Sequence, residues 1–194
     1  MMFPLSISKD EVMELPLGHY KGKIVIAANE LQIQDALDEI NQSRVVGFDT
    51  EAKPTFVKGQ IRNIGLIQVS TEEKVFLLRV HKVGVSDQLH QFLENPNILK
   101  VGIGLKDDYN LLDRLRSFTP QGFMDLNDTF EELGAESIGA RNLAAMILEI
   151  RISKSAQTSN WELEQLSTKQ LKYAATDAWI CLEIYKKLDF WGYL

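Results

Sequence analysis

The stretch "VVGFDTEA" places Asp49 and Glu51 two residues apart behind an apolar, β-branched run. A strand projects positions i and i+2 from one face, so these carboxylates stand side by side. Like charges that close resist joint ionisation unless a cation sits between them. The ordinary alternative is a strand end facing water, and the pattern D-x-E alone does not separate the two. Further on, "KVGIGLKDDYNLL" runs an apolar strand into the first turn of a helix that carries Asp107 and Asp108. A helix dipole stabilises acids there, yet the carboxyl end of a sheet strand is also where α/β proteins build sites. Near the C-terminus, "LKYAATDAWICLEIY" spaces Tyr173 and Asp177 four apart, on one face of a helix. The neighbours Leu171, Ala174, Trp179, Ile180, Leu182 and Ile184 leave little room for a solvated stripe. An aspartate among them needs a partner, which a hydrogen bond to Tyr173 alone would supply.

The elements that position these residues read as a strand meander followed by alternating helices and strands. "KIVIAA", "RVVGFDTEA", "IGLIQVS", "KVFLLRV", "NILKVGIG" and "GFMDLN" are expected strands. The short polar "TEE" between the third and fourth favours an antiparallel hairpin. "NELQIQDALDEINQ" is an expected helix capped by Asn29, with Leu31, Ala36 and Ile40 spaced to face a core. "SDQLHQFLEN" is a helix started by Ser86, and "DDYNLLDRLRSF", "DTFEEL" and "RNLAAMIL" are three more. A polar loop, "RISKSAQTSNWE", precedes a long closing helix capped by Ser167. Residues 1–22, interrupted by Pro4 and Pro16, read as an N-terminal extension or packing arm before a domain spanning 23–194. The fold class expected is α/β: a mixed sheet, antiparallel meander plus parallel strands, flanked by helices.

Composition narrows the class. A chain of 194 residues with 45% hydrophobic and 25% charged residues suits one globular domain. "IVIAA" is too short to span a bilayer, and the first residues lack the marks of a signal peptide. Cys181 is the single cysteine, expected as a buried free thiol, which suits a reducing intracellular, cytoplasmic setting. His19, His81 and His90 fall outside every motif. The formal net charge of −6 argues against gripping nucleic acid by backbone neutralisation alone, but bound cations reverse the sign locally.

Taken together, "VVGFDTEAKPTF", "KVGIGLKDDYNLL" and "LKYAATDAWICLEIYKKL" make the chain resemble the 3′–5′ exonucleases of the DEDD superfamily, in the tyrosine-containing branch. That branch includes ribonuclease D and the Werner-type exonuclease domain, and the likeness in wording is closer to the latter. "IGLIQVS" and "SNWE" also look like that family, and the resemblance covers about residues 24–190. It implies a ribonuclease H-like fold and a phosphodiester hydrolase acting from the 3′ end of DNA or RNA and releasing nucleoside 5′-monophosphates. It also implies two divalent cations, Mg²⁺ or Mn²⁺. Asp49, Glu51, Asp108 and Asp177 match the metal-holding acids, and Tyr173 matches the tyrosine that orients the attacking water. Asp108, the eighth residue counted from Val101, matches the second motif, with Asp107 as the competing neighbour. The histidine branch would place His where Lys172 stands.

Two ions roughly 3.5–4 Å apart would activate water and stabilise the leaving oxygen, and hard ions take carboxylate ligands. Thr50, Lys53, Lys58, Arg62, Lys106 and Arg141 are candidate substrate contacts, as are Arg151 and Lys154. Phe56 and Trp161 offer faces for base stacking, with core packing as the other reading of each. No helical nucleic-acid-binding segment is evident, so a protein partner that supplies grip is an expectation. Two other functions fit the same fold: a non-catalytic nucleic-acid-binding scaffold, and a phosphodiesterase confined to short oligonucleotides.

Overall fold

The computed structural model describes residues 2–54 and 63–194. Phe56, Lys58 and Arg62 lie outside the described residues. The strands are β1 (Lys23–Ala27), β2 (Val45–Ala52), β3 (Ile64–Ser70), β4 (Lys74–Leu78), β5 (Leu99–Gly102) and β6 (Phe123–Asp125). They form one sheet in the order β1-β4-β3-β2-β5-β6. The β3–β4 and β2–β3 pairs are antiparallel, whereas β1–β4, β2–β5 and β5–β6 are parallel. The expected hairpin across "TEE" is present. So is the expected mix of meander and parallel strands.

Helices cover both faces. They are α1 (Lys9–Glu14), α2 (Glu30–Ile40), α3 (Val80–Val83), α4 (Asp87–Leu93), α5 (Lys106–Leu115), α6 (Leu126–Glu132), α7 (Ala140–Leu148) and α8 (Thr168–Phe190). One core joins α2 and α4 to the sheet through Leu37, Ile40, Phe48, Val69, Phe76 and Phe92. On the opposite face, Ala174 and Ala175 of α8 pack on Leu66, Val75 and Leu77. Double coverage explains why every residue of β3 is buried.

The caps read from sequence hold. The Asn29 carboxamide accepts from the Gln32 amide at 2.9 Å, and the Ser86 hydroxyl from the Leu89 amide at 3.2 Å. Ser167 and Gln170 form a reciprocal capping box that starts α8. Leu31 does not face the core; it is 67% exposed. The buried face of α2 is Ile33, Ala36, Leu37 and Ile40. At 3.6 residues per turn, Leu31 lies about 200° around the helix from Ile33, so it points away. The fourth strand also ends earlier than expected, at Leu78, because Arg79 opens the short turn α3.

The N-terminal arm is more ordered than its prolines suggested. It contains α1, capped by Ser8 with Glu11 in a second capping box. Phe3 packs edge-on to Phe130 and against Trp191 and Tyr193. The Arg151 side chain donates to the Leu15 carbonyl at 3.0 Å, and the Gly18 amide donates to the Arg151 carbonyl at 2.9 Å. These contacts pin the arm to α6, to the residues after α8 and to the segment that follows α7. Among the described residues, no helix is long and apolar enough to cross a membrane.

Candidate active site

β2 and β5 are adjacent and parallel, and their carboxyl ends open beneath α8. In β2, Phe48 points into the α2–α4 core, so Asp49 and Glu51 project to the α8 side. A register shift between Glu51 and Ala52 then bends the strand end. From the middle of α8, Asp177 meets them. One carboxylate oxygen from each of Asp49, Glu51 and Asp177 lies within 4.8 Å of the others. The strand-end-in-water alternative fails: Glu51 is only 8% exposed, and Asp49 is half-buried beside it under Asp177, itself 8% exposed. All three line a cleft of about 630 Å³ together with Asp108, Tyr173, Thr50 and Lys154.

Such burial has electrostatic consequences. Desolvation, then the charges of Asp177 and Asp108, push the Glu51 carboxyl up to about 9. Desolvation raises Asp49 well above the usual carboxylate range, with Asp177, Asp108 and Glu51 adding repulsion. Asp177 rises to about 7 through burial, while the Tyr173 phenol and the Lys154 ammonium oppose that rise. A cluster that holds protons this tightly is one whose charge calls for a cation.

The donor set tests which cation. Every converging ligand atom is a carboxylate oxygen, which suits a hard ion such as Mg²⁺ or Mn²⁺. Cys181 also lines the cleft, but burial holds its thiol protonated, and its Sγ donates to the Asp177 backbone carbonyl at 3.1 Å. The residues present thus fit divalent cations bound through oxygen.

Asp108 reaches the cleft from the first turn of α5, directly after β5. Burial lifts its carboxyl to about 6, and the Thr50 hydroxyl, which donates to its Oδ1, counteracts the rise. Thr50 thus bonds an acid across 58 positions of sequence. Asp107 also borders the cleft but is exposed, so Asp108 is the better-enclosed acid of the pair. Sequence reasoning missed the anchor of this corner. Asp125 at the end of β6 accepts from the amides of Gly104 at 2.8 Å, Leu105 at 2.7 Å and Asn127 at 2.9 Å. It locks the turn between β5 and α5 that delivers Asp108. The sequence reading puts Asp125 inside the strand "GFMDLN" and begins the next helix at Asp128, whereas α6 starts at Leu126 with Asp125 as its cap.

Tyr173 sits one turn before Asp177 on α8. Burial, with Asp177, Glu51 and Asp49 nearby, drives its phenol far above the ordinary range. The ring leans on Trp161, with centroids 6.0 Å apart. Trp161 is fully buried, which settles its role as core packing.

Comparison with known proteins decides the family. The chain matches a family model described as 3′–5′ exonuclease across residues 24–190. It belongs to the 3′–5′ exonuclease family. It is 32% identical over 188 residues to the bifunctional 3′–5′ exonuclease/ATP-dependent helicase WRN of Mus musculus, covering 92% of this chain and 13% of that protein. It is 32% identical over 151 residues to ribonuclease D of Haemophilus influenzae, covering 76% of this chain and 37% of that one. The EXO domain of Aedes aegypti Nibbler shares its fold, with a TM-score of 0.79 at 23% identity over 89% of this chain and 93% of that domain. The chain spans less than half the length of the first curated relatives it matches, at 46%, 13% and 24%. Its mixed, helix-flanked sheet is the ribonuclease H-like arrangement of these exonuclease domains.

The basic residues of this family member divide into different roles. Lys53 is paired with Glu162, the acid of "SNWE", at 3.1 Å. Arg151 is occupied by the N-terminal arm through its bond to Leu15. Lys106 is exposed on α5 and does not line the cleft. Lys154 lines it, and Arg141 lines a neighbouring pocket.

Proposed function

We propose that this chain hydrolyses nucleic acid from a free 3′ end and releases nucleoside 5′-monophosphates, with Asp49, Glu51, Asp108, Tyr173 and Asp177 as its working residues. The observation that carries the reading is the meeting of half-buried Asp49 with buried Glu51 and Asp177 in an oxygen-only cluster on the wall of an open cleft. Two divalent ions, Mg²⁺ or Mn²⁺, would supply an activated water and a neutralised leaving oxygen there. Asp49, Glu51 and Asp177 would hold one, and Asp108 with Asp49 the other.

The protein's own groups have distinct tasks. Asp49 is flanked by Glu51 on its strand and by Asp177 above it, so it suits a shared ligand. Burial, with the neighbouring carboxylates, penalises the Tyr173 phenolate. Tyr173 therefore acts as a hydrogen-bonding group that orients water, not as a base. Lys154 sets a positive charge close to Asp177 on the cleft wall, where it would face a substrate phosphate. Attack at phosphorus breaks the bond to the 3′ oxygen of the preceding nucleotide. The phosphate thus leaves with the terminal nucleoside.

The test uses a 5′-labelled single-stranded DNA, a duplex with a recessed 3′ end and an RNA of matched length, each with Mg²⁺ or Mn²⁺. The expected result is a ladder shortening from the 3′ end, lost in Asp49→Ala and in EDTA. Binding without cleavage of any substrate would support a scaffold instead.

A further inference from the structure

Next to the catalytic cleft lies a second pocket of about 240 Å³, lined by Lys9, Val12, Ile138, Gly139, Ala140, Arg141, Asn142 and Lys154. The two cavities share Ala140 and Lys154 as a common wall. Three separate elements each contribute one cation: Lys9 from α1, Arg141 from α7 and Lys154 from the loop before α8. None of the three forms an ion pair among the described residues. In a chain of net charge −6, three unpaired cations around one small cavity stand out against the background. The acids of α1 do not dilute them. Asp10, Glu11 and Glu14 stay off the pocket wall, and Glu11 is bonded to the Ser8 amide at 2.8 Å.

The placement of Lys9 is built into the fold. α1 buries Val12, and the Arg151–Leu15 and Gly18–Arg151 bonds anchor the chain that follows it. The start of α7 is tied as well, since the Gly139 amide donates to the Asn127 side chain at 2.8 Å. Lys9 and Arg141 thus rest on fixed elements, one on each.

We propose that Lys9, Arg141 and Lys154 form an anion subsite that holds a phosphodiester of the substrate strand upstream of the nucleotide being removed. This rests on the reading that the 3′ end lies in the carboxylate cleft. Lys154, shared by both cavities, marks the route from one to the other. The class of ligand is a single-stranded polynucleotide backbone, recognised by charge and not by base. The N-terminal arm thereby becomes part of the substrate grip, a role that its position outside the family-matched residues 24–190 would not suggest.

The test compares wild type with Lys9→Ala/Arg141→Ala, leaving Lys154 in place because it adjoins Asp177. Melting temperatures first establish that the double variant is folded. Its kcat/KM is then measured on a dinucleotide and on a decanucleotide. The ratio of long to short substrate should fall about tenfold, the size that two exposed charge contacts supply. Anisotropy binding of fluorescein-labelled decathymidylate, without cleavage-supporting metal, should show a salt slope reduced by about 0.7 per lost phosphate contact. Lys9→Arg/Arg141→Lys should recover both. If wild type cleaves no substrate, the nuclease reading falls and the binding assay decides the subsite alone. An unchanged salt slope overturns the subsite whether or not the enzyme cleaves, and where it cleaves a long-to-short ratio equal to wild type overturns it as well.

Discussion

A methyl group placed on Gly47 would lie 2.0 Å from the backbone carbonyl oxygen of Ala178. The contact is backbone to backbone, so α8 rests directly on β2 one residue beyond Asp177 and two residues before Asp49. This close approach lets an aspartate on a helix share a site with two acids on a strand. Gly47→Ala must push the helix off the sheet. Overpacking of this kind costs on the order of 1–3 kcal/mol. Urea denaturation should report that loss. Mn²⁺ titration should report a larger drop in affinity than the stability change alone explains, because Asp177 retreats from Asp49 and Glu51. Wild-type values for both would show that the site tolerates a wider gap.

The raised acids predict how stability responds to pH. Burial lifts the Asp177 carboxyl to about 7 and the Glu51 carboxyl to about 9 in the folded protein, against about 4 for unfolded carboxyls. The native state therefore binds more protons than the unfolded chain between about pH 4 and about pH 9, and its stability falls as pH rises through that range. In EDTA, the melting temperature should decline from mildly acidic to mildly alkaline pH. Glu51→Gln should flatten that decline. Mn²⁺ takes the place of the bound protons, so its stabilising effect should grow with pH. A metal-independent, rising profile would contradict the buried cluster.

Much of this site is legible in the sequence, because its acids sit on patterns that local geometry fixes. Alternation along a strand put Asp49 and Glu51 on one side, and helical spacing aligned Tyr173 with Asp177. The caps at Asn29, Ser86 and Ser167 are equally local. What stayed hidden depends on tertiary register. Nothing near Thr50 in sequence announces Asp108, and nothing near Lys53 announces Glu162. Arg151 looked like a phosphate ligand until the N-terminal arm claimed it. The outward position of Leu31 was legible as well: at about 100° per residue it lies about 180° around the helix from Ile40, so the two cannot share a buried face.

Tyr173→Phe separates water orientation from packing. The phenylalanine ring keeps its place against Trp161, so the fold and Mn²⁺ affinity should be little changed. Loss of the hydroxyl should lower kcat on the order of 10²-fold, as misplacement of a reactant does. The variant should also move the acid limb of the pH–rate profile upward, because the phenol holds the Asp177 carboxyl down. A variant with full kcat would remove Tyr173 from the reaction.

Asp125 gives the last prediction, because it touches no substrate in the proposed reading yet governs where Asp108 stands. Its carboxylate accepts from three amides, those of Gly104, Leu105 and Asn127, and Leu105 is fully buried. Asp125→Ala strands these donors, each buried one costing about 1–3 kcal/mol. The turn after β5 should loosen, and Asp108 should lose its fixed distance from Asp49. Denaturation should therefore show a clear loss of stability, and kcat should fall even under conditions where the variant is fully folded. Asp125→Asn keeps one acceptor oxygen and should lie between wild type and Asp125→Ala in both measurements. A stability loss with unchanged kcat would mean that Asp125 only caps α6 and that Thr50 alone holds Asp108 in place.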